Sequence, residues 1–256
     1  MKLSGNTIFI TGGTSGIGRA LAEALHGLGN QVIISGRRKA LLDTVTAANP
    51  GMASIELDVV DPDSIKAAAT KLINDYPTLN VLFNNAGIMD FDNAAGAIDD
   101  DLLVSTLTTN LAGPIRVSAA LVEHLKKQPS AAIVNTTSVL AFVPLAPTAI
   151  YSATKAALHS YTLSQRYMLK DTSVRVLELA PPWVQTDLIN SNNEPRAMPL
   201  AAFIAETIKV LGEVLGSDND EILVEIAKPL RNAVGPDEGA FVTAFNDAMT
   251  GAPAHA

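Results

Sequence analysis

Tyr151 and Lys155 stand one helical turn apart in "YSATK", within an alanine-rich stretch that otherwise reads as a buried helix. The i, i+4 spacing puts both side chains on one helix face, so a phenol and an ammonium, both able to titrate, lie side by side. A free tyrosine, with pKa ~10, dissociates too little near neutrality to serve as a base. An ammonium ~4.5 Å away favours the phenolate by about 3.5 kcal/mol at an effective dielectric of ~20, or some 2–3 pKa units. The expectation is a phenol drawn down towards the range where general acid–base catalysis is efficient. The pair alone proves little. With 4 Tyr and 10 Lys in 256 residues, about 0.16 such spacings arise by chance, so the rest of the sequence must carry the assignment.

A second group of residues suits an anion. In "TIFITGGTSGIGRALAEAL" a strand-like run passes through a glycine-rich turn into a helix, with Gly12, Gly16 and Gly18 spaced GxxxGxG. Glycines let the backbone turn sharply and approach a phosphate, and the helix beginning near Ile17 offers unpaired N–H groups at its positive end. Such a turn between a first strand and a first helix points to a dinucleotide phosphate rather than a merely structural bend. About 20 residues later an acidic side chain would bind the ribose hydroxyls of NAD. Here "IISGRRK" carries Arg37 and Arg38 and no carboxylate. A guanidinium fork matches a 2′-phosphate, so NADP(H) is expected, with NAD(H) and a pair of solvated surface arginines as the other readings.

These residues need a scaffold, and the hydropathy pattern describes one. Short β-branched runs at 7–11, 31–35, 54–59, 81–87, 131–138 and 174–180 alternate with amphipathic stretches at 17–29, 38–49, 62–76 and 100–127. Near-continuous apolar strands separated by helices indicate a doubly wound parallel sheet in a three-layer α/β/α arrangement. Gly29 is placed to stop the first long helix, and Asp61-Pro62 supplies an N-cap and a proline at the first helical position. One domain over 1–250 is expected, with 190–215 as a substrate-side loop and helix and 251–256 as a flexible tail.

Bulk properties exclude several classes. Apolar content of 48% with 17% charged residues marks a folded globule. A net charge of −8 argues against non-specific binding to nucleic acid or an anionic membrane. There is no cysteine, hence no disulfide or thiolate zinc site. No apolar run approaches the ~18 residues of a membrane span, and cytoplasmic residence is the default expectation. The four histidines lack metal-ligand spacing, so no metal is expected, and His159 reads as a polar helix residue. Asp99, Asp100 and Asp101 read as an acidic helix start.

The ordered set TGGTSGIG (11–18), NNAG (84–87), Asn110, Ser138 and YxxxK (151–155) resembles the short-chain dehydrogenase/reductase family in its single-domain form. The resemblance spans Thr11 to Thr186. It implies a Rossmann fold and carbonyl–alcohol interconversion by hydride transfer. It assigns Gly12, Thr14, Ser15, Gly16, Ile17 and Gly18 to the pyrophosphate, Asp58 and Val59 to the adenine, and Asn85, Ala86 and Gly87 to the cofactor cleft, with Asn84 structural. Asn110, Ser138, Tyr151 and Lys155 match the catalytic tetrad. Tyr151 would be the general acid–base, Ser138 would hold the substrate oxygen, and Lys155 would contact the ribose and feed a proton relay through Asn110 and water. The family's counterparts of helices 102–125 and 151–170 pack across subunits, which implies a homodimer or homotetramer.

One segment departs from that pattern. In "APPWVQTDL" Pro181, Val184 and Thr186 fit the nicotinamide loop, but Pro182 replaces the usual glycine. Two readings stand for Trp183: it packs into the core, or with Leu140, Phe142 and Leu188 it lines a substrate pocket favouring apolar ketones. Two functional classes also stand. The first is an NADP(H)-dependent oxidoreductase on a small carbonyl substrate; the other is a non-catalytic dinucleotide sensor, against which the complete tetrad argues.

Overall fold

The computed structural model describes residues 2–233, 241, 244, 245 and 247–249; the expected tail at 251–256 lies outside the described residues. Seven parallel strands form one sheet in the order β3-β2-β1-β4-β5-β6-β7. They are β1 (Thr7–Ile10), β2 (Gln31–Gly36), β3 (Ala53–Glu56), β4 (Leu79–Asn84), β5 (Ala131–Thr136), β6 (Val174–Leu179) and β7 (Glu221–Ile222). The chain builds outward from β1 in one direction, then returns to start again with β4 on its other side. The loops leaving β1 and β4 therefore diverge, and a crevice opens between them at the strands' carboxyl ends.

Side-chain alternation on the strands explains the two covering layers. Ile8, Ile10, Val32 and Ile34 point into one core, packed against Leu21 and Leu25 of α1 (Gly16–Gly27) and Phe203 and Leu211 of α7 (Leu200–Leu215). Phe9, Ile33, Leu82 and Ile133 point into the other. There they meet Leu72 of α3 (Pro62–Asp75), Leu121 of α5 (Gly113–Leu125) and Leu169 of α6 (Ala149–Leu169). The remaining helices are α2 (Lys39–Ala48), α4 (Asp100–Leu107) and the single turn α8 (Lys228–Arg231). The helix ends follow the sequence signals. Asp61 caps α3 by accepting from the Asp63 amide at 2.9 Å, and Asp99 caps α4 from Leu102 at 3.1 Å.

Three features differ from the sequence expectation. The strands end sooner than their apolar runs, because residues such as Asn85–Gly87 and Thr137–Ser138 leave the ladder to form the crevice. The helix expected over 100–127 is interrupted by a π-helical segment, Thr108–Ala112, with Asn110 at its centre. Pro114 lies just beyond and has no N–H to return to the Asn110 carbonyl four residues earlier. Finally, β7 was not expected, since its two residues make no run.

Candidate active site

The crevice at the switch point holds a cavity of about 1290 Å³. At one end lies the glycine turn. Gly12 has φ +70°, and a Cβ there would come within 2.8 Å of the Ala86 Cα; at Gly18 a Cβ would lie 2.3 Å from Asn85 Nδ2. Only glycine fits either place, because the loop after β4 presses directly on the turn. That contact is clamped: Thr11 Oγ1 accepts from the amides of Asn85 and Ala86 at 3.0 Å each, and Asn85 Nδ2 donates to the Thr11 carbonyl at 3.1 Å. Thr11 and Gly13 stand within TGGTSGIG but had no role assigned from the sequence; a Cβ at Gly13 would lie 2.6 Å from Ile34. Ser15 begins α1 in an extended conformation without a side-chain cap bond, leaving its hydroxyl and the first helical amides open to the cavity beside Thr14, Gly16 and Ile17.

Beyond β2, Arg37 and Arg38 line the same cavity, both exposed. Neither has a carboxylate partner among the described residues. Asp58 and Val59 form the adjoining wall. Asp58 Oδ1 is occupied by the Val60 amide at 3.1 Å, while Val59 is buried and packs under Gly113. The buried hydroxyls of Ser35 and Thr136 also line the cavity and find no partner among the described residues.

Tyr151, Lys155 and Ser138 converge at the centre, all buried. Lys155 Nζ donates to the Thr136 carbonyl at 2.8 Å and lies 5.5 Å from the Tyr151 ring centre. Ser138 and Tyr151 share a hydrogen bond. The expected lowering of the phenol pKa does not hold for this arrangement. Burial pushes Tyr151 up to about 12, opposed only by the Ser138 hydrogen bond. The same burial pushes Lys155 down to about 8. Desolvation disfavours both charged forms and outweighs their mutual attraction.

Two sequence-predicted residues do not line the cavity. Asn110 is buried with its amide spent on the loop after β4. Its Oδ1 accepts from the Ile88 amide at 2.9 Å, and Nδ2 donates to the Ile88 carbonyl at 2.8 Å and to Thr154 Oγ1 at 3.3 Å. It holds the Gly87–Ile88 turn against α6 and presents no side-chain group for a relay. Phe142 lies behind the wall, edge-on to His159 with ring centres 5.0 Å apart and capped by the Arg231 guanidinium at 4.6 Å. The pocket expected around it therefore loses that member.

Leu140, Trp183 and Leu188 do line the cavity, with Pro181, Val184 and Thr186. Trp183 is half-buried, its ring faced by the Arg196 guanidinium at 4.9 Å. The loop is braced from outside: Met198 N donates to the Trp183 carbonyl at 2.8 Å, and Ser191 Oγ to the Val184 carbonyl at 2.9 Å. Pro182 meets no conflict in backbone conformation, since among the described residues only Asn190 has positive φ without being glycine. The Val184 amide has no acceptor among the described residues. Asn84 is structural, as expected, bonding Ser118 and Asn135 at 2.8 Å each.

The family model for short chain dehydrogenase matches residues 6–197. The chain belongs to this family. It is 41% identical over 241 residues to the uncharacterized oxidoreductase DltE of Bacillus subtilis (strain 168), covering 93% of this chain and 95% of that protein. It is 31% identical over 206 residues to the 3-oxoacyl-[acyl-carrier-protein] reductase FabG of Vibrio cholerae, covering 78% and 83% of the two chains. Among solved structures, a short chain dehydrogenase from Burkholderia cenocepacia J2315 in complex with NADP superposes with a TM-score of 0.82. That pair is 26% identical, and the match covers 95% of this chain and 98% of the other. The chain is therefore an oxidoreductase of the short-chain dehydrogenase family with a doubly wound Rossmann sheet. No helix among the described residues is long and apolar enough to cross a membrane, and among them no group of side chains is arranged to hold a metal ion.

Proposed function

We propose that the protein is an NADP(H)-dependent reductase that converts an apolar ketone or aldehyde to its alcohol, and the reverse. The observation that carries the reading is the convergence of Ser138, Tyr151 and Lys155 on one buried point of a cavity that also contains the glycine turn. A dinucleotide fits the groups present. The first amides of α1 and the Thr14 and Ser15 hydroxyls would hold the pyrophosphate, and Arg37 and Arg38 a 2′-phosphate. Asp58 and Val59 would flank the adenine, and the Val184 amide with Thr186 would hold the carboxamide beside Pro181. Bound there, the reduced nicotinamide supplies the hydride.

The chain's own residues supply the rest. Tyr151 is protonated at neutral pH, with its pKa held near 12, so it enters the reduction as the acid and gives its phenolic proton to the developing alkoxide oxygen. Ser138 donates a hydrogen bond to that oxygen, where negative charge appears. The nearby Lys155 ammonium stabilises the phenolate that remains. Its pKa near 8 keeps it charged at neutral pH. A relay through Asn110 would have to use its main-chain carbonyl, since its side-chain amide is spent on Ile88 and Thr154. Val139, Leu140, Leu145, Trp183 and Leu188 supply apolar walls on the substrate side, which exclude water and select against small polar carbonyls.

A homo-oligomer is part of the same reading, since Leu163, Tyr167 and Met168 leave α6 with an exposed apolar face. Absorbance at 340 nm tests the catalytic proposal, using NADPH and NADH with aromatic ketones, diketones, sugars and steroids. Consumption with apolar ketones supports it; tight nucleotide binding with no turnover across the panel indicates a sensor instead.

A further inference from the structure

Between Thr136, whose carbonyl holds Lys155, and Ser138, whose hydroxyl meets Tyr151, stands Thr137. Its Oγ1 donates to Glu178 Oε1 at 2.6 Å, and its amide to the Leu179 carbonyl at 2.8 Å. Glu178 sits on β6 and is completely buried. Its carboxylate has one further hydrogen-bond partner among the described residues, His159 Nδ1, 2.8 Å from Oε2 and 3.0 Å from Oε1, and its charge is also felt by the Arg231 guanidinium. His159 lies on α6 one turn beyond Lys155, and the Phe142 ring packs edge-on against it. The hydrogen bonds of Arg231, on the other side of that ring, go to Glu221.

A carboxylate wholly out of water is retained at a cost, and only when paired and hydrogen-bonded. A leucine here would fill β6 without that cost. The carboxylate joins three elements that carry the site. It ties the chain just past β5 to β6 through Thr137, and to α6 through His159. Thr137 lies beyond the last ladder residue of β5, where its hydroxyl and amide anchor the strand end together with the Val139 amide, which donates to the Pro181 carbonyl at 3.0 Å. We propose that Glu178 and His159 are positioning residues: through the Thr137 hydroxyl they fix residues 136–138, and with them the Ser138 hydroxyl and the carbonyl that holds Lys155. The proposal rests on the catalytic reading above for its effect on turnover. Displacement of an oriented group by a fraction of an ångström to 1 Å typically costs ten- to a hundredfold in rate.

The test uses the full chain and four variants: Thr137→Val, Thr137→Ser, Glu178→Gln and the double variant Thr137→Val/Glu178→Gln. One readout needs no activity, namely hydrogen exchange of the Leu140 amide, which Ser138 Oγ accepts at 3.1 Å. Thr137→Val should speed that exchange at least tenfold and lower kcat by about tenfold or more, with NADPH affinity changed less than threefold. Thr137→Ser, which keeps the hydroxyl, should restore both. The double variant should be no worse than Thr137→Val alone, because without the Thr137 hydroxyl the side chain at 178 has no link to residues 136–138. Unchanged exchange in Thr137→Val would overturn the proposal whatever the activity, as would faster exchange with kcat intact. Should the unaltered protein show no turnover with any carbonyl, the catalytic reading falls, and exchange alone decides whether the cluster holds Ser138.

Discussion

Lys155→Met removes a buried ammonium while keeping most of the side-chain volume, and its effect on stability has a definite sign and pH window. Lys155 titrates near 8 in the folded protein against an ordinary value of 10.5, because burial disfavours its charge. Below pH 8 both folded and unfolded chains carry the charge, and the folded state bears the full desolvation cost, about 3 kcal/mol for a gap of that size. Between pH 8 and 10.5 the unfolded chain binds the proton and the folded one does not, so stability rises with pH. The rise from pH 7 to pH 9.5 works out at about 2 kcal/mol. Above pH 10 the phenol reverses the trend. Tyr151 holds its proton up to about 12 when folded, so stability is lost as pH climbs past the unfolded value.

Urea or thermal denaturation of the nucleotide-free protein and Lys155→Met at pH 7 and 9.5 isolates this contribution, since other titrations cancel in the difference. The unaltered protein should gain about 2 kcal/mol on the variant between the two pH values, roughly 4–8 °C in relative Tm. The Thr136 hydrogen bond sets the offset between the proteins at pH 7, where an ammonium–carbonyl bond worth about 1.5–3 kcal/mol opposes the burial cost. It does not change the direction of the pH dependence. Parallel stability curves would show that the ammonium is not desolvated, and the account of both pKa values would fail together.

Two further predictions concern binding. Arg37→Ala should weaken NADPH by about 1.5–3 kcal/mol while leaving NADH nearly unchanged, measured by fluorescence titration; equal losses for both nucleotides would remove the 2′-phosphate assignment. Trp183→Ala should shift the ratio of kcat/KM between bulky and small ketones at least tenfold with NADPH affinity preserved, whereas a loss of stability with an unchanged substrate profile would make the indole a core residue.

Much of this molecule could be read from its residues, and the parts that could not share a cause. Strands and the helices between them were legible because burial on both faces imposes apolar runs on one and a 3.6-residue period on the other. The glycine turn was legible because its φ and its closeness to Ala86 admit no other residue. By contrast, β7 is two residues long and leaves no pattern. The π segment around Asn110 keeps helical periodicity on either side and so leaves no mark in the pattern. Phe142 is apolar like the pocket residues expected beside it, but the 3-10 turn at Val139–Ala141 carries it behind the wall. The pairing of His159 with Glu178 spans 19 residues and two elements, so neither residue announces the other. In the protein alone the phenol pKa moves up and not down for a related reason: spacing reveals the neighbouring charge, while desolvation depends on everything packed around it.

The central claim is that Tyr151 gives its proton to the substrate oxygen. Turnover of Tyr151→Phe, followed at 340 nm with NADPH and the best ketone from the screen, tests it most directly. The variant keeps the ring and its packing and loses only the hydroxyl, so NADPH should bind within a fewfold of the unaltered affinity while the rate falls by ~10²–10⁴. Retention of more than about a tenth of the rate, in a variant that still binds NADPH, would contradict the assignment of Tyr151 as the acid.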